Sequence, residues 1–162
     1  MHSRTIFQTL ALSVAVPMVM AACGETAAKV CFGVDGGQSQ DILIEDVQYV
    51  ADYLRYIGEE NSGLNAMWSM PIAGFDCQEW QLPVPAAGSV LPLAKHINPR
   101  INSTVLYTDM ADTIEKTLLG CGTNGGMVGV TADATNPAYN TDEYKATKAK
   151  PEGIIIKLVK AP

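Results

Sequence analysis

Residues 41–58 read DILIEDVQYVADYLRYIG, and the spacing of their apolar side chains decides the fold. Val47, Val50, Ala51, Leu54 and Ile57 recur at i, i+3, i+4, i+7 and i+10, which is one face of an α-helix. Glu45 and Asp46 put negative charge at the positive end of the helix dipole, and Ser39 or Asp41 can cap it. Gly58 closes the pattern, since a left-handed residue after the last turn is least strained as glycine. Each large side chain on this face contributes roughly 1.5–3 kcal/mol when buried. The helix must therefore lie on an apolar platform, and the strand-like segments further along supply one.

Outward from the helix, 29–34 (KVCFGV) reads as a short strand ending at the turn Asp35-Gly36-Gly37. Residues 59–71 are turn-rich and read as a loop anchored by Leu64, Met67 and Trp68. Residues 76–82 and 89–97 alternate as strands. Pro92 places the second of these at a sheet edge or a bulge, because proline cannot donate to a ladder. Residues 104–107 form a short strand running into a second helix, 109–119, capped by Thr108. Its narrow apolar face carries Met110, Ile114 and Leu118, and Gly120 ends it. Residues 126–132 and 154–160 are further strands; in the latter Ile154, Ile156 and Leu158 face the core and Ile155, Lys157 and Val159 face away. Residues 133–153, polar and proline-punctuated, read as a surface loop or short helix. The sum is an α+β fold, a mostly antiparallel sheet with two helices packed on one face, an α/β sandwich stabilised by disulfides.

The chain begins like a secretory signal peptide. Arg4 precedes an apolar run from Ile6 to Met20 and the small residues Ala21 and Ala22. The run is short for a membrane span, which needs about 20 apolar residues. Met20-Ala21-Ala22-Cys23 also loosely resembles a bacterial lipobox, in which Cys23 would carry lipid. Removing 1–22 leaves 140 of the 162 residues, 23–162, enough for one secreted domain with its own core. The formal charge is −6, and −7 without Arg4. Between Cys23 and Trp80 ten Asp and Glu face only Lys29 and Arg55, whereas five Lys and three acids follow from Thr141. So acidic a body offers no basic footprint for nucleic acid.

Cys23, Cys31, Cys77 and Cys121 form an even set in an exported chain, which predicts two disulfides in any of three connectivities. No CxxC pair is present and His96 is the only histidine after residue 22, so no metal site or cofactor is expected. Asn102-Ser103-Thr104 is an N-glycosylation sequon. Residues 120–125 (GCGTNG) match GxGxxG but follow a helix and precede a strand, the reverse of a phosphate-binding turn, and read as a helix end. Cys77 with His96 would be a thiol–imidazole pair only if Cys77 were reduced. Ser89 and His96, seven residues apart on one strand, point to opposite faces. Asp76 and Glu79, three apart and just before Trp80, suggest a sugar-cleaving acid pair, yet two acids on one short strand do not face each other across a cleft. Lys95, His96 and Arg100 gather at the end of strand 89–97, where an open edge with charges at its rim suits a protein partner.

Four segments together resemble a known family: VQYVADYLRYIG (47–58), DCQEWQLP (76–83), LAKHINPR (93–100) and KPEGIIIKLVKAP (150–162). They are similar to the secreted-in-xylem effectors of plant-pathogenic fungi, in the group whose members act as one half of an effector pair. The resemblance extends from about Cys31 to Pro162. It implies a secreted, non-catalytic virulence protein of the plant apoplast, or one delivered into host cells, whose partners are a second effector protein and a host plant protein. It carries over no catalytic residue. The alternative from the residues alone is a secreted hydrolase of cell-wall carbohydrate using Asp76, Glu79 and a nearby acid.

Overall fold

A computed structural model describes residues 23–71 and 77–162. The predicted signal segment and Asp76 lie outside the described residues. The predicted class holds: the chain is α+β, with a five-stranded, fully antiparallel sheet. In chain order the elements are β1 (Val30–Cys31), α1 (Ile44–Glu60), β2 (Met67–Ser69), β3 (Glu79–Gln81), β4 (Val90–His96), β5 (Thr104–Leu106), α2 (Tyr107–Thr113), β6 (Gly126–Gly129), α3 (Asp142–Ala146) and β7 (Ile154–Lys160). The sheet order is β1-β6-β7-β4-β3, and β2 pairs with β5 in a separate two-stranded sheet.

Strand alternation sorts side chains between two layers. On the inner face of the large sheet lie Val90, Ala94 and His96 of β4, Ile154, Ile156 and Leu158 of β7, and Val128 of β6. Val47, Val50, Ala51 and Leu54 of α1 pack with them, as do Met110, Ala111, Ile114 and Leu118. The predicted apolar faces of both helices are thus the ones buried, although Ile57 is only half-buried. Beyond Thr113 the second helix widens into a π turn over Ile114–Leu118 and then tightens over Leu119–Asn124. The GxGxxG stretch is part of this helix end, with Gly122 and Gly125 at positive φ.

The boundaries of α1 differ from expectation at both ends. Neither Ser39 nor Asp41 caps it; Leu43 occupies the cap position and no side chain of its own caps the helix. Ser89, at the start of β4, does that work from across the fold. Its Oγ accepts the Leu43 N–H at 2.8 Å, while its own N–H and hydroxyl donate to Asp46 at 2.7 and 2.6 Å. Gly58 does not end the helix, which continues to Glu60. It is small because α2 crosses there: a Cβ on Gly58 would lie 2.8 Å from Thr108 Cγ2 and 3.1 Å from the Thr108 nitrogen. Gly58→Ala is expected to destabilise the fold by about 1–2 kcal/mol, the clash outweighing the roughly 1 kcal/mol that alanine gains in a helix. Thr108→Ser should recover part of the loss in chemical denaturation, since it removes the nearer of the two atoms.

Two further expectations are corrected, and of the surface loop or short helix expected over 133–153 the short helix is observed. Residues 59–71 are not all loop, because β2 pairs Met67, Trp68 and Ser69 with Leu106, Val105 and Thr104. Residues 133–153 contribute a 3₁₀ turn, Pro137–Asn140, and α3, which bury Tyr139 and Tyr144 against Ala66, Met67 and Leu106 as a second apolar cluster. Strand β4 is neither an edge nor bulged, for it runs between β7 and β3 in unbroken register. Pro92 is tolerated because its carbonyl accepts the Leu82 N–H just where β3 ends, and the Leu82 carbonyl turns to Val84 instead. The missing proline N–H is therefore not needed there.

The four cysteines pair as Cys23–Cys77 and Cys31–Cys121. The first bond excludes the lipobox reading, since a sulfur bonded to Cys77 cannot also carry lipid. It helps to hold residues 23–29 as a strap across the outer face of the sheet. The Cys23 N–H donates to Ile97 O, Gly129 N–H donates to Ala27 O, and Glu25 receives Lys95 and Lys157 at 2.9 and 3.0 Å.

Candidate functional site

The strand end chosen from sequence does not form an open charged rim. Lys95 is largely buried in its ion pair with Glu25. Lys157 from the neighbouring strand bridges Glu25 and Glu79, so the outer sheet face carries a closed network of two lysines and two glutamates. Burial would raise the Glu25 carboxyl, but the two ammonium groups outweigh it and hold it below the usual range. His96 is 1 % exposed and belongs to the inner face with Ala94. Burial lowers its pKa against an opposing hydrogen bond with the Asn98 backbone. Arg100 lies on the surface at the turn beyond β4, its N–H donating to Asn98 Oδ1. The edge argument for a partner at Lys95, His96 and Arg100 therefore fails: interior pairing takes the backbone of β4, and burial takes two of the three side chains.

These two depressed groups make the fold sensitive to acid. Burial holds the His96 pKa below its unfolded value, so the unfolded chain binds the extra proton as pH falls below about 6.5. The stability tied to Glu25 is present above about 4.5 and is lost as pH falls through its lower folded value. Denaturant titrations from pH 7.5 to 4 should show stability falling from about pH 6.5, by at most about 1.4 kcal/mol per pH unit for one proton. His96→Gln should flatten that first part of the curve and leave the lower part unchanged.

The other chemical groups singled out in the sequence are engaged structurally. Cys77 is disulfide-bonded. Ser89 caps α1. Trp80 packs against the main core. Glu79 is exposed on β3 and contacts Lys157. Asn102 is exposed, its side-chain amide donating to Thr147 O at 2.9 Å. Among the described residues no group of three or more His, Cys, Asp or Glu is arranged to hold a metal ion, and no helix is long and apolar enough to cross a membrane.

Two features escaped the sequence reading. One is a cavity of about 370 Å³ beside the π turn, lined by Asp109, Asp112, Lys116, Thr117, Thr131 and Asp133 among others. Its carboxyls differ in environment. Burial raises Asp109, opposed by the Tyr139 hydroxyl that donates to it at 2.5 Å. Lys116 lowers Asp112 more than burial raises it, with help from Arg55. Thr135 lowers Asp133. The other feature is the outward face of α1, where Tyr49 and Tyr56 stand exposed among acids. The helical period that marks the buried face also marks this one, and could have found it. Comparison of the chain with known protein families, with curated proteins and with solved structures finds no match in any of the three.

Proposed function

We propose that the chain is an exported, non-catalytic effector that promotes virulence on plants by binding a second secreted protein or a host protein, in keeping with its resemblance to the paired fungal effectors. The observation that carries this reading is where the reactive side chains are. Cys77, Ser89, His96 and Glu79 each serve disulfide, cap, core or ion pair, leaving a disulfide-braced body whose distinctive open feature is a helix face. Such a body suits recognition by surface. Co-expression with candidate secreted proteins from the same organism tests it: a stable complex should co-purify from the secreted fraction. Separate elution at concentrations of tens of micromolar would overturn the pairing.

Export carries a sharper expectation. With Cys23 bonded to Cys77, an exported chain keeps Cys23, which narrows the cleavage expected between Ala21 and Gly24 to a position before Cys23. N-terminal sequencing should therefore begin at Ala22 or Cys23, and a native intact mass should fall short of the reduced one by four hydrogens, two per bond.

A second reading, hydrolysis of cell-wall carbohydrate, has one observation in its favour: the cavity gathers carboxyls whose environments push their pKa values apart. It would use Asp109 and Asp112 rather than Asp76 and Glu79. Release of reducing sugar from wall polysaccharide, lost in Asp109→Asn, would favour it over the binding role.

A further inference from the structure

The outward side of α1 has an order that helix solubility does not require. Glu45, Tyr49, Asp52, Tyr56 and Glu59 follow one another at steps of four, three, four and three, so acid and tyrosine alternate along one stripe. At 1.5 Å per residue the stripe is about 21 Å long. All five residues are exposed, Tyr49 by 37 % and Tyr56 by 58 %. The rings are held in place: Tyr53 sits between them with centroids 5.9 Å from each, and the Tyr49 hydroxyl donates to Pro85 O. The acids are not neutralised. The one cation of α1, Arg55, is turned to Asp112 and Glu115 at 2.9 and 2.5 Å, and none of Glu45, Asp52 and Glu59 forms an ion pair among the described residues.

We infer that this stripe is the docking surface for a cationic segment of a partner protein, one presenting Arg or Lys at successive turns. The inference rests on the proposed binding role and names its surface. A tyrosine face attracts a cation through its quadrupole, and a carboxylate three or four residues away completes each site with a charge-assisted hydrogen bond. Anchored rings lose little entropy on binding, the property that makes tyrosine frequent in interface centres. The same acids repel nucleic acid and anionic lipid, so charge complementarity selects a basic polypeptide. The chain's own Lys145, Lys148 and Lys150 would offer such charge from a second copy, and the test separates that case.

The probe is an alanine-based helical peptide with Arg at positions 1, 5, 8 and 12, titrated into the full secreted protein by calorimetry, with amide shifts mapping the contact. Binding should weaken with salt, shift the α1 amides, and fall about tenfold or more for Tyr49→Ala with Tyr56→Ala. Phenylalanine at both positions should restore it to within about threefold, because the ring face is kept. Asp52→Asn with Glu59→Gln should lower both affinity and salt dependence. Helix content checks that each variant is folded. No binding to the native protein, equal binding by the double alanine variant, or shifts confined to the Asp109 cavity would overturn the surface. So would self-association that consumes the stripe and disappears in Lys145→Glu with Lys148→Glu. The co-purification experiment stands apart: a partner bound equally by native protein and stripe variants would remove the stripe and leave the binding role intact.

Discussion

A Cys31→Ala, Cys121→Ala protein is expected to lose about 2–5 kcal/mol of stability. The bond joins β1 to the turn that follows α2, two segments 90 residues apart in sequence. Between them lie α1, β2, β3, β4, β5 and α2, so the cross-link restricts most of the unfolded chain. Both cysteines also sit in the main core, 7 % and 5 % exposed, and their removal leaves a small apolar void as well. For a fold of this size the loss is a large fraction of the total. The variant should melt far below the native protein. Cys23→Ala, Cys77→Ala should act differently. That bond helps to hold the strap of residues 23–29, which can detach without opening the core, so the cost is capped at what the strap's own contacts provide. Hydrogen exchange should then rise at residues near 25–29 and at Gly129, whose N–H donates to Ala27 O, with the inner strands β4 and β7 still protected. Equal global loss from both double variants would show that the strap folds as one unit with the sheet.

The contrast between these bonds shows which features local sequence carries. Periodicity is local, and it located the buried face of α1, the Met110–Ile114–Leu118 face of the second helix, and the inward set Ile154, Ile156 and Leu158. The same alternation places His96 with Val90 and Ala94 on the inner face; the charge of its neighbours at the strand end obscured that parity. Contacts between distant segments are not local. The cap of α1 comes from Ser89, 46 residues beyond Leu43, and Gly58 is explained only by Thr108. β2 is three residues long with Met67 and Trp68 both buried, so it shows no alternation to read. Pro92 argued for an edge from its missing donor alone, whereas the decisive fact is that β3 stops opposite it. For the candidate site the pattern is similar. The tyrosine stripe is periodic and legible, while the cavity gathers residues from α2, the π turn and 131–133, which only the tertiary fold brings together.

Tyr139→Phe is expected to cost about 2–4 kcal/mol although it removes a single oxygen. That oxygen serves two buried groups at once. It donates to Asp109 Oδ2 at 2.5 Å and accepts the Leu106 N–H at 2.7 Å, at the junction of β5 and α2. Burial and the neighbouring carboxylate push the phenol well above its usual pKa, so the hydroxyl keeps its proton and stays a donor. Phenylalanine would preserve the edge-to-face contact with Tyr144, deprive the Leu106 N–H of its acceptor, and leave the buried Asp109 carboxyl to the hydrogen bond from the Asp133 backbone. Tyr144→Phe provides the scale, since its hydroxyl makes one hydrogen bond, to Thr104 O at 3.1 Å, and its loss should cost about 1 kcal/mol. The Tyr139 penalty should also depend on pH. Burial already raises the Asp109 pKa, and losing the hydroxyl that opposes this raises it further. The variant's carboxylate is therefore destabilising at neutral pH and is relieved as pH falls through its raised value, so the stability difference between native and variant proteins should shrink toward pH 4. A difference that stays constant with pH would assign the loss to the Leu106 N–H, and a difference below about 1 kcal/mol would mean that neither buried group depends on this oxygen.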